Sequence, residues 1–424
     1  MIRLSTSDSG FETAFAALVD ARRDSDEDIS RDVAFILSRV RTEGDVAVGE
    51  LTARFDGHSL PWRIDLADCR AALAGLDADL RAALELAAAR IRTFHEGQRP
   101  IDRDMTDAAG VRLGARWNAV DAAGLYVPGG RAAYPSSVLM NAIPAKVAGV
   151  ERLVMVTPTP KGEANPLVLA AAALAGVDEV WRIGGAQAVG ALAFGTEAIR
   201  PVDVIVGPGN AWVAEAKRQL YGRVGIDMVA GPSEILVVAD ADNDADWIAA
   251  DLLSQAEHDP TSQSILITDD AAFADAVAAA IEAMLPTLAT ETVARASWDT
   301  HGAIIVVEHF DQAPALIDRL APEHLELAIA DPEAMFARIR HAGSVFLGRH
   351  TPEAIGDYLA GPNHVLPTGR RARFASALSV TDFMKRTSFI GCPPASLAAL
   401  GPAAVALAGA EGLPAHARSI AVRL

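Results

Sequence analysis

Residues 202–219, VDVIVGPGNAWVAEAKRQ, decide the fold. A β-branched run (Val202, Val204, Ile205, Val206) meets a turn built on Gly207, Pro208 and Gly209, and an amphipathic stretch follows. A short apolar strand, a glycine turn and then helical spacing make one unit of a parallel sheet covered on both faces. The G-x-G-x-x-G fingerprint for dinucleotides nevertheless breaks at its third glycine, where Trp212 stands, and no acidic residue follows at the usual distance with a strand before it. Two readings stay open: a phosphate cradle, or a tight turn that only small residues allow.

The same alternation extends on both sides. Helix-like SSVLMNAIPAKVAG (136–149) precedes strand-like RLVMVTP (152–158), and PLVLAAAALAG (166–176) precedes EVWRIGG (179–185). A second series starts at EILVVAD (234–240). It runs through helix ADWIAADLLSQAEH (245–258), strand SILITDD (264–270), helix AAFADAVAAAIEAML (271–285) and strand GAIIVVE (302–308), and then LELAI (325–329) and SVFLG (344–348). Two α/β units in tandem are expected, with a ligand cleft between them. Residues 1 to about 97 carry apolar residues at three- and four-residue spacing and read as helices. A short β segment is expected in 110–130, and the tail after about 375 reads as helical. YVPGGRAAYPSS (126–137) and IGGAQAVGAL (183–192) add two more glycine-rich turns at strand ends, which strengthens the reading of a nucleotide-binding edge.

Composition removes several classes of function. A formal charge of −18 over 424 residues repels nucleic acid and anionic membrane, so an anionic ligand must be held locally. The longest apolar stretch, LAALGPAAVALAGA (397–410), is broken by Gly401 and Pro402 and is shorter than the ~18 residues a membrane span needs. Two cysteines, Cys69 and Cys392, exclude a disulfide framework and a cysteine-rich zinc site and fit a reducing compartment. MIRLSTSDSGFETAF (1–15) lacks the pattern of a signal peptide, so a cytoplasmic location is expected.

Four polar stretches could carry chemistry. DLLSQAEHDP (251–260) puts Gln255 and His258 three apart at a helix end, which reads either as metal ligands or as a solvated terminus. LAPEHLELA (320–328) sets Glu323 beside His324, an acid and an imidazole able to move protons separately, or an ordinary surface pair. TPEAIGDYLAGPNHVLPTG (351–369) is a Gly/Pro-rich segment carrying Asp357, Asn363 and His364. AGAEGLPAHARS (408–419) holds Glu411 and His416 around Pro414 and otherwise reads as a solvated helix start. Together these residue types suit a zinc site with acid/base residues beside a nucleotide-binding half.

The chain resembles the histidinol dehydrogenase family along essentially its whole length. The resemblance rests on GLYVPGGRAAYPSSVLMNAIPAKVAGV, RIGGAQAVGALAFGT, IVGPGNAWVAEAK, DMVAGPSEILVVAD, LLSQAEHDP, APEHLEL, AGPNHVLPT and EGLPAHARS, in that order. It implies an α/β fold of two tandem incomplete Rossmann-like domains with parallel sheets, plus helical N-terminal and C-terminal segments. The implied division is an N-terminal segment 1–25, a first α/β domain from 26–118 and 233–375 with the metal and catalytic residues, a second, NAD-binding domain 119–232, and a C-terminal domain 376–424 swapped in a homodimer.

The resemblance also implies one Zn²⁺ per chain on Gln255, His258 and Asp357, completed by His416 of the partner subunit, so that active sites are shared between chains. Glu323 and His324 match the proton-transfer pair. Substrate contacts are implied for Ser233, His364 and Glu411, and for Gln255, His258, His324, Asp357 and His416 of the same site. Tyr126, Gln187 and Asn210 match positions that contact NAD. The implied reaction is oxidation of L-histidinol through L-histidinal to L-histidine by two hydride transfers, with His324 as base and Glu323 activating water. Zinc there orients the substrate. Relatives oxidising other primary alcohols, such as sulfonated diols, share much of this framework, and a non-enzymatic nucleotide-binding or sensor module with a structural zinc is the remaining alternative.

Overall fold

In the computed structural model, residues 1–21, 27–129, 134–229 and 231–424 are described. Positions 130–133 of the first glycine-rich turn, and Ala230, lie outside them.

The two α/β series each close into a six-stranded sheet. In one, the strands run in the order Ile2–Ser5, Ala303–Val306, Gln263–Thr268, Glu234–Ala239, His324–Ala328 and Ser344–Leu347, every pairing parallel. Alternate side chains of its central strand enter opposite cores. Ile235, Val237 and Ala239 meet the helices Ala245–Ala256 and Ala271–Met284, while Leu236 and Val238 meet Phe15, Ile317 and Leu320. Both faces are covered, which is why these strands are continuous apolar runs in the sequence.

The other sheet is ordered Arg63–Ile64, Glu179–Trp181, Arg152–Val156, Ala122–Tyr126, Val204–Val206 and Gly225–Ile226, parallel except at the Arg63–Ile64 edge. From Ala122–Tyr126 the chain moves outward one way through two strands, then returns to place Val204–Val206 on the other side. The crevice at the carboxyl ends of those two neighbours is a topological switch point, where open α/β sheets bind ligands. The expected strand–turn–helix unit is present there: Asn210 caps the helix Ala211–Leu220 by accepting from the Trp212 and Val213 N–H groups.

Three expectations are corrected. The first residues are not helical: Ile2–Ser5 pairs in parallel with Ala303–Val306 as an edge strand. Four residues with a single buried apolar side chain, Leu4, carry too little periodicity to be read. The tail is not helical throughout either. Met384–Gly391 pairs antiparallel with Arg112–Ala119, and with Arg103–Thr106 these form a third, three-stranded sheet. That strand is exposed along most of its length, so no burial alternation marks it in the sequence.

The grouping of 26–118 with 233–375 is also not what the packing makes. Arg63–Ile64 joins the sheet of 119–232, and Val33, Leu37, Val48 and Leu51 lie in one of that sheet's cores with Ala188, Val189 and Ile205. Leu84 and Ile91 fill the core on its other face with Leu139 and Ile143. The segment 1–21 instead completes the sheet of 234–347. Amphipathic helices read alike whichever sheet they cover; only their partners decide.

Candidate active site

Glu323 and His324 stand where the chain enters the strand His324–Ala328, beside the start of Glu234–Ala239. They are no surface pair, being 7% and 4% exposed. The backbone of Glu234 holds both. Its N–H donates to Glu323 Oε2 at 2.8 Å, and its carbonyl lies 2.9 Å from His324 Nδ1. A carbonyl can only accept, so Nδ1 carries the proton and Nε2 keeps its lone pair. Burial pulls His324 down to about 4, so the ring is neutral near pH 7. Burial also lifts Glu323 well above the usual carboxylate range, with the neighbouring carboxyls Glu234, Asp357 and Glu353 pushing the same way. The 3.7 Å approach of His324 Nδ1 to Glu323 Oε2 is therefore not an ion pair.

A second group closes around the free Nε2. The helix Glu353–Tyr358 brings Glu353 Oε1 to 3.5 Å from His324 Nε2, with Asp357 one turn further on. His364 Nδ1 lies 3.3 Å from Asp357 Oδ1. Burial alone would raise Asp357, but the hydrogen bond and charge of His364, with His324 and His258 nearby, hold it below the usual range. On the opposite wall, the helix Ala245–Ala256 ends at the stretch singled out above. Gln255 is its buried penultimate residue, Glu257 its cap, and His258 turns back so that its Nδ1 sits 3.3 Å from Gln255 Nε2.

The donor set fits a divalent cation. Gln255 Oε1, His324 Nε2 and Glu353 Oε1 are buried without hydrogen-bond partners, a costly arrangement unless something binds them, and of the three Gln255 Oε1 belongs to an expected metal ligand. Among the described residues the imidazole–carboxylate group able to hold an ion is His324, Glu353 and Asp357, with ligand atoms all within 4.8 Å of one another. Of the four expected ligands, Asp357 belongs to that group and Gln255 and His258 border it. His416 does not reach it within one chain: like Glu411 it is exposed, on the helix Pro414–Ala421. Ser233 immediately precedes the strand Glu234–Ala239, half-buried.

Glu353, Glu326 and Asp251 were not singled out in the sequence. Burial lifts Glu353 to about 8, with Asp357 adding to it. Burial likewise lifts Glu326 to about 9, helped by Asp251, and Asp251 to about 6. The signals were there: Glu353 lies four residues before Asp357 on one helical face, and Glu326 lies two after His324 on one strand face.

The nucleotide-type turns meet at the carboxyl edge of the other sheet. Tyr126, the last residue of its strand, accepts from the Gly185 N–H through its hydroxyl at 3.0 Å. Burial lifts that phenol to about 12. Gln187 is buried behind the same turn, whereas Asn210 is exposed at the start of its helix. The helix Pro135–Ala148 leaves this edge and joins it to the proton-transfer site. Ser137 Oγ is 3.5 Å from His364 Nε2, and Asn363 Nδ2 donates to the Met140 carbonyl at 2.6 Å. The amino edge of one sheet therefore faces the carboxyl edge of the other.

The family model described as histidinol dehydrogenase matches residues 19–424. The chain is 64% identical to the histidinol dehydrogenase of Zymomonas mobilis, covering 100% of this chain and 99% of that one. It is 63% identical to that of Rhodospirillum rubrum, covering 100% and 98%. The crystal structure of histidinol dehydrogenase from Elizabethkingia anophelis superposes with a TM-score of 0.94 at 35% identity, over 100% of this chain and 98% of that one.

Proposed function

The chain belongs to the histidinol dehydrogenase family and is an oxidoreductase, and on that premise we propose that it oxidises L-histidinol through L-histidinal to L-histidine with NAD and one zinc ion. The observation that carries this reading is the state of His324: a buried neutral imidazole whose Nδ1–H is tied to a carbonyl and whose Nε2, 3.5 Å from Glu353 Oε1, has no hydrogen-bond partner. That is a base awaiting a hydroxyl proton.

Gln255, His258 and Asp357 would hold the metal, with His416 of the partner subunit, and its chemistry is to orient the imidazole and amino groups of the substrate. NAD, against Tyr126, Gln187 and Asn210, supplies the hydride acceptor. The protein's own residues move the protons. His324 Nε2 takes the hydroxyl proton as the first hydride leaves the carbinol carbon, giving the aldehyde. Glu323 takes a proton from water as the oxygen adds to the aldehyde carbon, while His324 returns its proton to the former carbonyl oxygen, giving the hydrate and a neutral imidazole. A cationic substrate beside it favours the carboxylate that this step needs, against the burial that raises it. His324 then takes a hydrate proton as the second hydride leaves, and the acid is complete. Ser233, His364 and Glu411 line the substrate.

The homodimer belongs to the same reading. Leu400 and Leu407 on the helix Pro394–Ala410, and Leu413, Val422 and Leu424 flanking the helix Pro414–Ala421, are exposed apolar residues, a surface suited to a second copy. No helix among the described residues is long and apolar enough to cross a membrane. The test is spectrophotometric: L-histidinol with NAD should give two NADH per substrate. Aliphatic amino alcohols and sulfonated diols should give little. Preference for one of those, or NAD binding without turnover, overturns the proposal.

A further inference from the structure

Lys217 and Asp227 form an ion pair under the turn Gly207–Pro208–Gly209, with side chains only 2% and 1% exposed. None of the groups assigned to proton transfer touches them. A buried pair is weak support for stability, because desolvation offsets most of its attraction. This one, however, directs one hydrogen bond from each side chain to a single residue, besides the Met228 N–H that Asp227 Oδ1 accepts at 2.6 Å. Asp227 Oδ2 accepts the Gly207 N–H at 2.8 Å, and Lys217 Nζ donates to the Gly207 carbonyl at 3.0 Å. Both polar groups of one glycine are fixed by two side chains that fix each other.

That glycine has no room to settle elsewhere. Its φ is +112°, and a Cβ would stand 2.1 Å from the Tyr126 carbonyl oxygen, a backbone atom. The turn is thus pinned from above by the end of the neighbouring strand and from below by the ion pair. Three residues on, Asn210 starts the helix that carries Lys217 itself. The pair therefore ties the height and tilt of this helix's first turn to the switch-point crevice between the strands Ala122–Tyr126 and Val204–Val206.

We propose that Lys217 and Asp227 are positioning residues that preset the turn of residues 207–210 for the dinucleotide, governing cofactor affinity and not the chemical steps. The proposal rests on the reading that this edge binds NAD. It is tested on the full-length, metal-loaded protein with Lys217→Met/Asp227→Asn, which leaves no lone buried charge, and with Gly207→Ala, which displaces the turn under an intact pair. NADH binding is measured by fluorescence titration without turnover, alongside steady-state kinetics and thermal unfolding. The expected result is a folded double variant whose NADH dissociation constant and KM for NAD both rise about tenfold or more, equivalent to ~1.4 kcal/mol or more. Its kcat at saturating NAD and its KM for L-histidinol should stay within about twofold of wild type, a split that general loosening of the fold would not give. Gly207→Ala should weaken NADH in the same way. A folded double variant with unchanged NADH affinity overturns the proposal, as does a Gly207→Ala variant with unchanged affinity. A double variant that does not fold also overturns it, assigning the pair to the fold alone. Asn210→Ala separates the two layers. If it leaves NADH binding untouched, the cofactor reading of this edge fails; if it weakens binding and the pair variants do not, only the present inference fails.

Discussion

Glu323→Gln separates the two halves of the proposed reaction, and its cost to the fold can be worked out in advance. Burial keeps the Glu323 carboxyl well above its ordinary range, so in the unliganded protein a neutral acid is exchanged for a neutral amide of nearly the same shape. The hydrogen bond it accepts from the Glu234 N–H can pass to the amide oxygen. No buried charge is lost and the Glu234 N–H keeps its acceptor, so stability should change by about 1 kcal/mol. Activity should not be spared. Without a carboxylate to take the water proton, oxidation of the aldehyde should fall by roughly 10²–10⁴-fold, about 2.7–5.4 kcal/mol of barrier. Oxidation of the alcohol should fall less, because His324 Nε2 still accepts that proton. The assay supplies L-histidinol and L-histidinal separately to the same preparation and follows NADH, with thermal unfolding as the control. A covalent route through a thiol is the rival. Cys69 is fully buried with its thiol pushed up by burial, and Cys392 is exposed, immediately after the strand Met384–Gly391. Cys69→Ser/Cys392→Ser should therefore keep most of the activity. An E323Q protein that oxidises L-histidinal at the wild-type rate, or a cysteine variant that loses that step, refutes the assignment.

Chelation should abolish activity and added Zn²⁺ restore it, while His258→Asn should lose metal, measured by elemental analysis, together with activity; full turnover by a metal-free preparation would contradict the ligand set. If His416 of the partner subunit completes each site, co-expressed His416 and His258 variants, each inactive alone, should recover activity in the mixed dimer, where one site carries both lesions and the other neither; no recovery counts against the swapped arrangement. The last concerns pH. Glu326 rises from its ordinary 4.5 to about 9 in the folded chain, so the folded state keeps a proton that the unfolded state releases. This contribution is fully present below about pH 4.5 and lost as pH climbs toward 9, with a slope of up to ~1.4 kcal/mol per unit. Glu326→Gln should flatten the fall in denaturant midpoint between pH 5 and 9; an unchanged slope would show that Glu326 does not titrate there.

The two parallel sheets were legible because strands covered on both faces must be apolar throughout, and glycine turns punctuate them. EILVVAD and VDVIVGPG could hardly be anything else. Elements that bury little were not legible. Ile2–Ser5 and Met384–Gly391 are held by ladder hydrogen bonds to Ala303–Val306 and Arg112–Ala119, which lie about 300 and 270 residues away along the chain. Nothing within four or eight residues of sequence announces such a partner. The assignment of the helices in 27–97 failed for a related reason. Val33 and Leu37 specify a buried stripe but not which sheet it will lie on.

The site divides along the same line. Side chains whose chemistry is unusual for their setting, such as Gln255, His258, His324, Asp357 and His364, stand out in a sequence with only ten histidines, and the fold brings these five together. What sets the protonation states around them is supplied by groups that no residue pattern displays. The tautomer of His324 and the anchoring of Glu323 both come from the peptide groups of Glu234, one strand away, at 2.9 and 2.8 Å. Any residue but proline at that position offers the same N–H and carbonyl. The shifts in proton affinity come from burial behind Phe346 and the strand Glu234–Ala239, and from crowding three carboxyls, Glu326, Glu353 and Asp357, into one wall. Register explains the placement. Because His324 pairs with Ile235 at the amino ends of their strands, this site opens on the edge of its sheet opposite to the one where such sheets take nucleotides. The carboxyl edge of the second sheet faces it through Ser137 and His364, so each sheet contributes one end, and neither alone makes a complete site.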